Sequence, residues 1–133
     1  MSTRALVRFF NKDFVEYARV YKHWDGYPDG FGLDIAKFIK DIKIPKGVSH
    51  KENTAAGVGC LIAQFIANFK KEVGDIYVES LMYEINDCSF YYHISVVNED
   101  IIVGIFDYKK NNIFTGSPAE MLEFCMHYSD SGE

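Results

Sequence analysis

Residues 90–97 alternate between two kinds of side chain. Phe90, Tyr92, Ile94 and Val96 fall on one side of an extended chain, and Tyr91, His93 and Ser95 on the other. A period of two with one oily side is the mark of a strand on a sheet that buries one face. The same signal, rich in Val, Phe and Tyr, predicts strands over 3–10 and 14–22, with Asn11-Lys12-Asp13 as the turn between them. In the first of these Ala5, Val7 and Phe9 share one face, and Arg4, Leu6 and Arg8 the other. Strands are also predicted over 76–85 and 101–108, with room for a further short one at 113–115.

Three stretches switch to helical spacing. Ile35, Phe38, Ile39 and Ile42 predict a helix from about Gly32 to Ile42. Val58, Leu61, Ile62, Phe65, Ile66 and Phe69 make the strongest stripe in the chain. They predict a helix capped by Asn53 or Thr54 and running to about Lys71. Its neighbouring face holds Cys60, Ala63 and Ala67, small residues that allow close approach of a second backbone, so burial on more than one side is expected. Ser117-Pro118-Ala119-Glu120 then carries an N-terminal signature: a capping serine, proline at the first helical position and a glutamate that can reach back. The last helix continues to about Tyr128.

The resulting order, ββααβββα, implies an α+β fold: one antiparallel sheet with three helices, hairpins setting the strand order. The chain has 133 residues, enough for one domain. Residues 1–128 are assigned to it and 129–133 to a flexible tail. No repeat or linker divides the sequence.

Composition narrows the partners more than the activity. Net charge is −5, which disfavours a broad nucleic-acid face. No apolar run is long enough for a membrane span, and the N-terminus lacks a secretory pattern. Three separated cysteines, Cys60, Cys88 and Cys125, suggest neither a zinc site nor a disulfide framework. A cytoplasmic protein without a cofactor is therefore expected, with Cys60 and Cys125 as small buried side chains.

The segment Tyr21-Lys-His-Trp-Asp-Gly-Tyr-Pro-Asp-Gly-Phe-Gly32 stands apart. It holds the only tryptophan and fits no regular element. Trp24, Tyr27 and Phe31 could stack on a ring or anchor the loop to the core. Asp25 and Asp29 each precede a glycine, as turn residues do, and with His23 they could instead serve a metal. Arg4 and Arg8 offer forked hydrogen bonds to an anion from the first hairpin. Elsewhere the candidates are weaker. Gly57-Val58-Gly59 lacks the lysine and serine or threonine of a phosphate loop, and His93 has no triad around it. It is read as a surface strand histidine.

With Thr3–Arg8, the Ala63–Ala67 helix and Ile113–Glu120, the aromatic-glycine segment resembles a group of small uncharacterised proteins from bacterial and phage genomes, over nearly the whole length. The resemblance implies a free-standing cytosolic domain and brings over no catalytic residue. By analogy with small phage proteins it points to action by binding, including the blocking of host defence.

The expected function is a non-catalytic binding protein. It would take a small anionic or nucleotide-like ligand, or a host protein, through His23, Trp24, Asp25, Tyr27, Asp29, Arg4 and Arg8. The alternative is a metal-dependent hydrolase or nuclease using Asp25, Asp29 and His23. Pairing of exposed aromatics or an edge strand between two copies would make a homodimer.

Overall fold

A computed structural model describes residues 3–47, 51 and 53–129. The connection residue His50 and the tail from 130 onward lie outside the described residues. The architecture is α+β. Six strands form one sheet: β1 (Ala5–Phe10), β2 (Glu16–Lys22), β3 (Ile76–Glu79), β4 (Phe90–Val97), β5 (Asp100–Phe106) and β6 (Asn112–Gly116). Three helices, α1 (Leu33–Ile39), α2 (Val58–Phe69) and α3 (Pro118–Met126), cover one face of it.

Strand order is β3-β2-β1-β4-β5-β6. The hairpins β1–β2, β4–β5 and β5–β6 pair antiparallel, as their short turns require. β1 and β4 pair parallel, so the sheet is mixed. The reason lies in β3, which adds outside β2 and ends at Glu79, opposite Arg19. The expected strand over 76–85 is thus cut to four residues. Residues 80–89 then cross the helix-free face to reach the far side of β1, and the chain re-enters the sheet in the direction of β1.

The alternation of β4 decides the two faces. Phe90, Tyr92, Ile94 and Val96 join Ala5, Val7, Phe9, Val103 and Ile105 under the helices. Phe65 of α2 sits at the centre, edge-on to Phe9 at 5.1 Å and tilted against Phe69 at 4.6 Å. Edge-to-face rings of this kind add to the area that they bury.

α2 begins four residues later than the candidate cap Thr54. Thr54 is held instead in a bridge to Lys43, and Gly57 takes the position before the helix with φ of 92°, a conformation that glycine adopts freely. The helix is buried on one side only. Gly59, Cys60, Ala63 and Ala67 face solvent, so among the described residues no second backbone approaches its small-residue face, and Cys60 is exposed rather than buried. Cys125 is buried as expected.

α3 starts where its signature places it. Ser117 Oγ accepts the Glu120 amide at 3.2 Å, and Glu120 Oε1 accepts the Ser117 amide at 2.8 Å. Ser117→Ala should cost about 1 kcal/mol in urea denaturation, because the Glu120 amide at the helix start loses its side-chain acceptor.

Candidate functional site

The loop after β2 is shaped from both ends. Asp25 takes a positive φ of 58° and turns the chain. Gly26 then lies against β1, its amide donating to the Thr3 carbonyl at 2.8 Å. Tyr92 Oη, buried beneath the helices, donates to the Gly26 carbonyl at 2.7 Å. Pro28 opens a wide π-type turn, Pro28–Gly32, that runs straight into α1. These contacts fix the backbone while leaving part of the aromatic set outside.

The rings divide. Phe31 is 2% exposed and packs edge-on against Phe69 and Phe65, so it belongs to the core. Trp24 is 40% exposed and stands against His23. Tyr27 is half-buried, and its hydroxyl donates to Asp25 Oδ1 at 3.2 Å. That hydrogen bond to a carboxylate holds the Tyr27 phenol above its usual pKa. Asp25 therefore braces the loop, its carbonyl also accepting the Phe31 amide at 2.9 Å. Asp29 is exposed.

Tyr27 and Asp29 line a cleft of about 790 Å³ between this loop, the β5–β6 turn and the end of α3. Its apolar walls are Phe90, Tyr108, Ile113, Phe124 and Tyr128, with Thr3, Ser89 and Ser129 at its edges. Phe124 and Phe114 pack at 5.0 Å, and Phe90 meets Tyr128 edge-on at 6.0 Å, so the walls are braced from behind. Asp107 supplies a second carboxylate, held by the amides of Lys109 and Asn111, each at 2.9 Å. No lysine or arginine lines the cleft among the described residues, and its one histidine, His127, pairs with Glu123 at 3.1 Å. The field of Asp29 reaches inward. Burial first, and Asp29 second, push the Cys125 thiol up to about 12, so this cysteine is a packing group and no nucleophile.

The remaining expected site residues stand apart from this cleft. His23 Nδ1 lies 2.9 Å from Tyr21 Oη. Arg4 pairs with Asp87 at 3.2 Å. Arg8 grips Glu16 with two bonds of 2.9 and 3.0 Å, and Arg19 grips the same carboxylate at 2.7 and 3.0 Å. Arg4 and Arg8 thus have acidic partners within the chain, on the helix-free side of the sheet. Among the described residues no group of three or more His, Cys, Asp or Glu side chains converges as a metal site requires, and His23, Asp25 and Asp29 do not form one.

His93 differs from a surface strand histidine. Its ring lies 4.4 Å from that of Phe106 and 5.3 Å from that of Phe10. Burial between them, with Arg8 nearby, lowers its pKa to about 4. The cleft residues Phe90, Asp107, Phe124 and Tyr128 were equally hidden in the sequence, where Asp107 falls inside the strand predicted over 101–108, Phe90 on the oily side of its strand, and Phe124 and Tyr128 in the last helix with no role of their own. Among the described residues no helix is long and apolar enough to cross a membrane. Compared with known proteins, the chain matches no protein-family profile, no curated protein and no solved structure.

Proposed function

We propose that this is a non-catalytic binding protein whose cleft between the 23–32 loop and α3 takes a small molecule with a flat ring and a positive or hydrogen-bond-donating edge. One observation carries the reading: Tyr27, Tyr108, Phe124 and Tyr128 wall a space whose charged rim is Asp29 and Asp107. Aromatic walls favour planar ligands, and carboxylates reward N–H donors and cations while repelling anions. A nucleobase or an aromatic amine fits that chemistry. A phosphate group finds no lysine or arginine there among the described residues, since Arg4 and Arg8 are bound elsewhere. Sequestering such a ligand would suit a phage-type inhibitor of host defence, a role that rests on the resemblance alone.

A thermal-shift series tests it with nucleosides, the matching nucleotides and aromatic amines. Nucleosides or amines should raise the melting temperature, and added phosphates should weaken the effect. Asp29→Asn and Tyr27→Ala should each reduce affinity about tenfold, since both side chains reach the cleft. No shift with any of these compounds, or shifts that survive both substitutions, would remove the cleft as the site.

A further inference from the structure

The helix-free face of the sheet is covered over only part of its area. The crossing segment 80–89 lays Ile85 and Cys88 on Leu6 and Tyr91, and the Tyr83 carbonyl accepts from Arg19. The rest is bare. There Phe10, Phe14, Ile102 and Phe106 line a shallow, largely apolar socket of about 450 Å³ with His93 at its floor and Arg8, held by Glu16, at its wall. Phe14, at φ of 59°, hangs over it from the β1–β2 turn and is 68% exposed. At the tip of the crossing segment, Met82 is 87% exposed and Tyr83 71% exposed, with Leu81 beside them. This tip carries no charge.

We propose that two copies of this chain pair through this face, the Leu81–Tyr83 tip of each filling the socket of the other. Three features favour a second copy over another protein. The projecting apolar tip and the apolar socket lie on one surface, as an interface between identical chains related by a two-fold axis requires. The charges there cancel locally: Arg4 with Asp87, Arg8 and Arg19 on Glu16 with Glu84 near Arg19, and Lys110 over the Tyr91 ring offset by Glu79 opposite Arg19. A protein of net charge −5 can approach itself through a neutral face more readily than through any other. Exposed methionine and tyrosine are also the residue types enriched at the centres of interfaces. The pairing leaves the ligand cleft, which lies around α3, open.

Sedimentation velocity over a concentration series tests the pairing. The wild-type chain should form a dimer, and Met82→Asp on the tip and Ile102→Asp in the socket should each weaken it at least about tenfold. Met82 is so exposed that, at a dilution where the wild-type chain is monomeric, Met82→Asp should leave the melting temperature unchanged, which separates lost pairing from lost folding. In a Cys60→Ser background, mild oxidation of the Met82→Cys, Ile102→Cys variant should link two chains. A wild-type monomer at the highest soluble concentration would overturn the proposal, as would a dimer unaffected by Met82→Asp or the absence of the cross-link. A monomer whose tip is protected only on adding a different protein would assign the face to that protein instead.

Discussion

Acidification from pH 7 should weaken the fold in two stages, and each should disappear with one substitution. The first belongs to His93. Burial between Phe10 and Phe106 lowers its pKa to about 4, with Arg8 and Lys110 opposing the imidazolium and Glu16 favouring it. An unfolded chain protonates this histidine near pH 6.5. Between pH 6.5 and 4 the unfolded state therefore binds a proton that the native state refuses, and stability falls as pH falls. At about 1.4 kcal/mol per pKa unit the loss approaches 3 kcal/mol, nearer 2 after allowing for the part of the ring still open to water. His93→Phe should flatten this stage.

The second stage belongs to Glu16. Burial raises its pKa, but the forked hydrogen bonds from Arg8 and Arg19 outweigh burial and bring it down to about 2. Here the folded pKa is depressed below the usual carboxylate value. The contribution is fully present above about pH 4.5 and is lost as pH falls toward 2, in all about 2 kcal/mol once solvent screening of this partly open site is allowed for. Glu16→Gln should flatten that lower stage and cost about 2 kcal/mol at pH 7, because two partly buried guanidinium groups lose their shared anion. Urea denaturation at a series of pH values reads both. A wild-type curve that stays level from pH 6.5 to 4 would show that His93 is solvated, and the socket described around it would then not exist.

The elements that depend on local pattern were readable in the sequence. The alternation of β4, the apolar stripe of α2 and the capping box of α3 each lie within a dozen residues, and each forms as its pattern requires. What failed depends on distant partners. The strand expected over 76–85 stops at Glu79 because it must leave the sheet to cross the open face, which hydrophobicity around Tyr83 and Ile85 cannot reveal. The parallel β1/β4 pair follows from that same crossing. His93 reads as a surface residue because the rings flanking it come from β1 and β5. The candidate cleft was half legible. Glycine and proline marked 21–32 as a shaped loop, and Tyr27 and Asp29 do reach a cleft. Its other wall comes from residues roughly 60 to 100 positions away, and the acids of Arg4 and Arg8 are set by pairing rather than by spacing.

Gly26→Ala should be the most damaging single-methyl change in the loop. A Cβ there would meet the Ala5 Cβ at 2.6 Å, and the Ala5 nitrogen and Thr3 carbonyl oxygen at 3.0 Å. None of these is the end of a flexible side chain, and Ala5 is fully buried, so relief requires the backbone to shift. A shift pulls the Gly26 carbonyl from Tyr92 Oη and its amide from Thr3, so the overpacking cost comes with a weakened buried hydrogen bond. Together these predict a loss of about 3 kcal/mol. Tyr92→Phe isolates the hydrogen bond, and by itself should cost about 1–2 kcal/mol. Trp24, two residues from the glycine and the only tryptophan, makes the loop its own fluorescent reporter. In Gly26→Ala its emission should change before global unfolding, because the loop detaches from β1 while the helices stay packed. Cleft binding should fall with it, since Tyr27 and Asp29 are carried by the same backbone. Unchanged stability and unchanged emission would mean that the loop tolerates a side chain at its closest approach to the sheet. Its shape would then be held by Phe31 and the bonds within the loop rather than by Gly26 against β1.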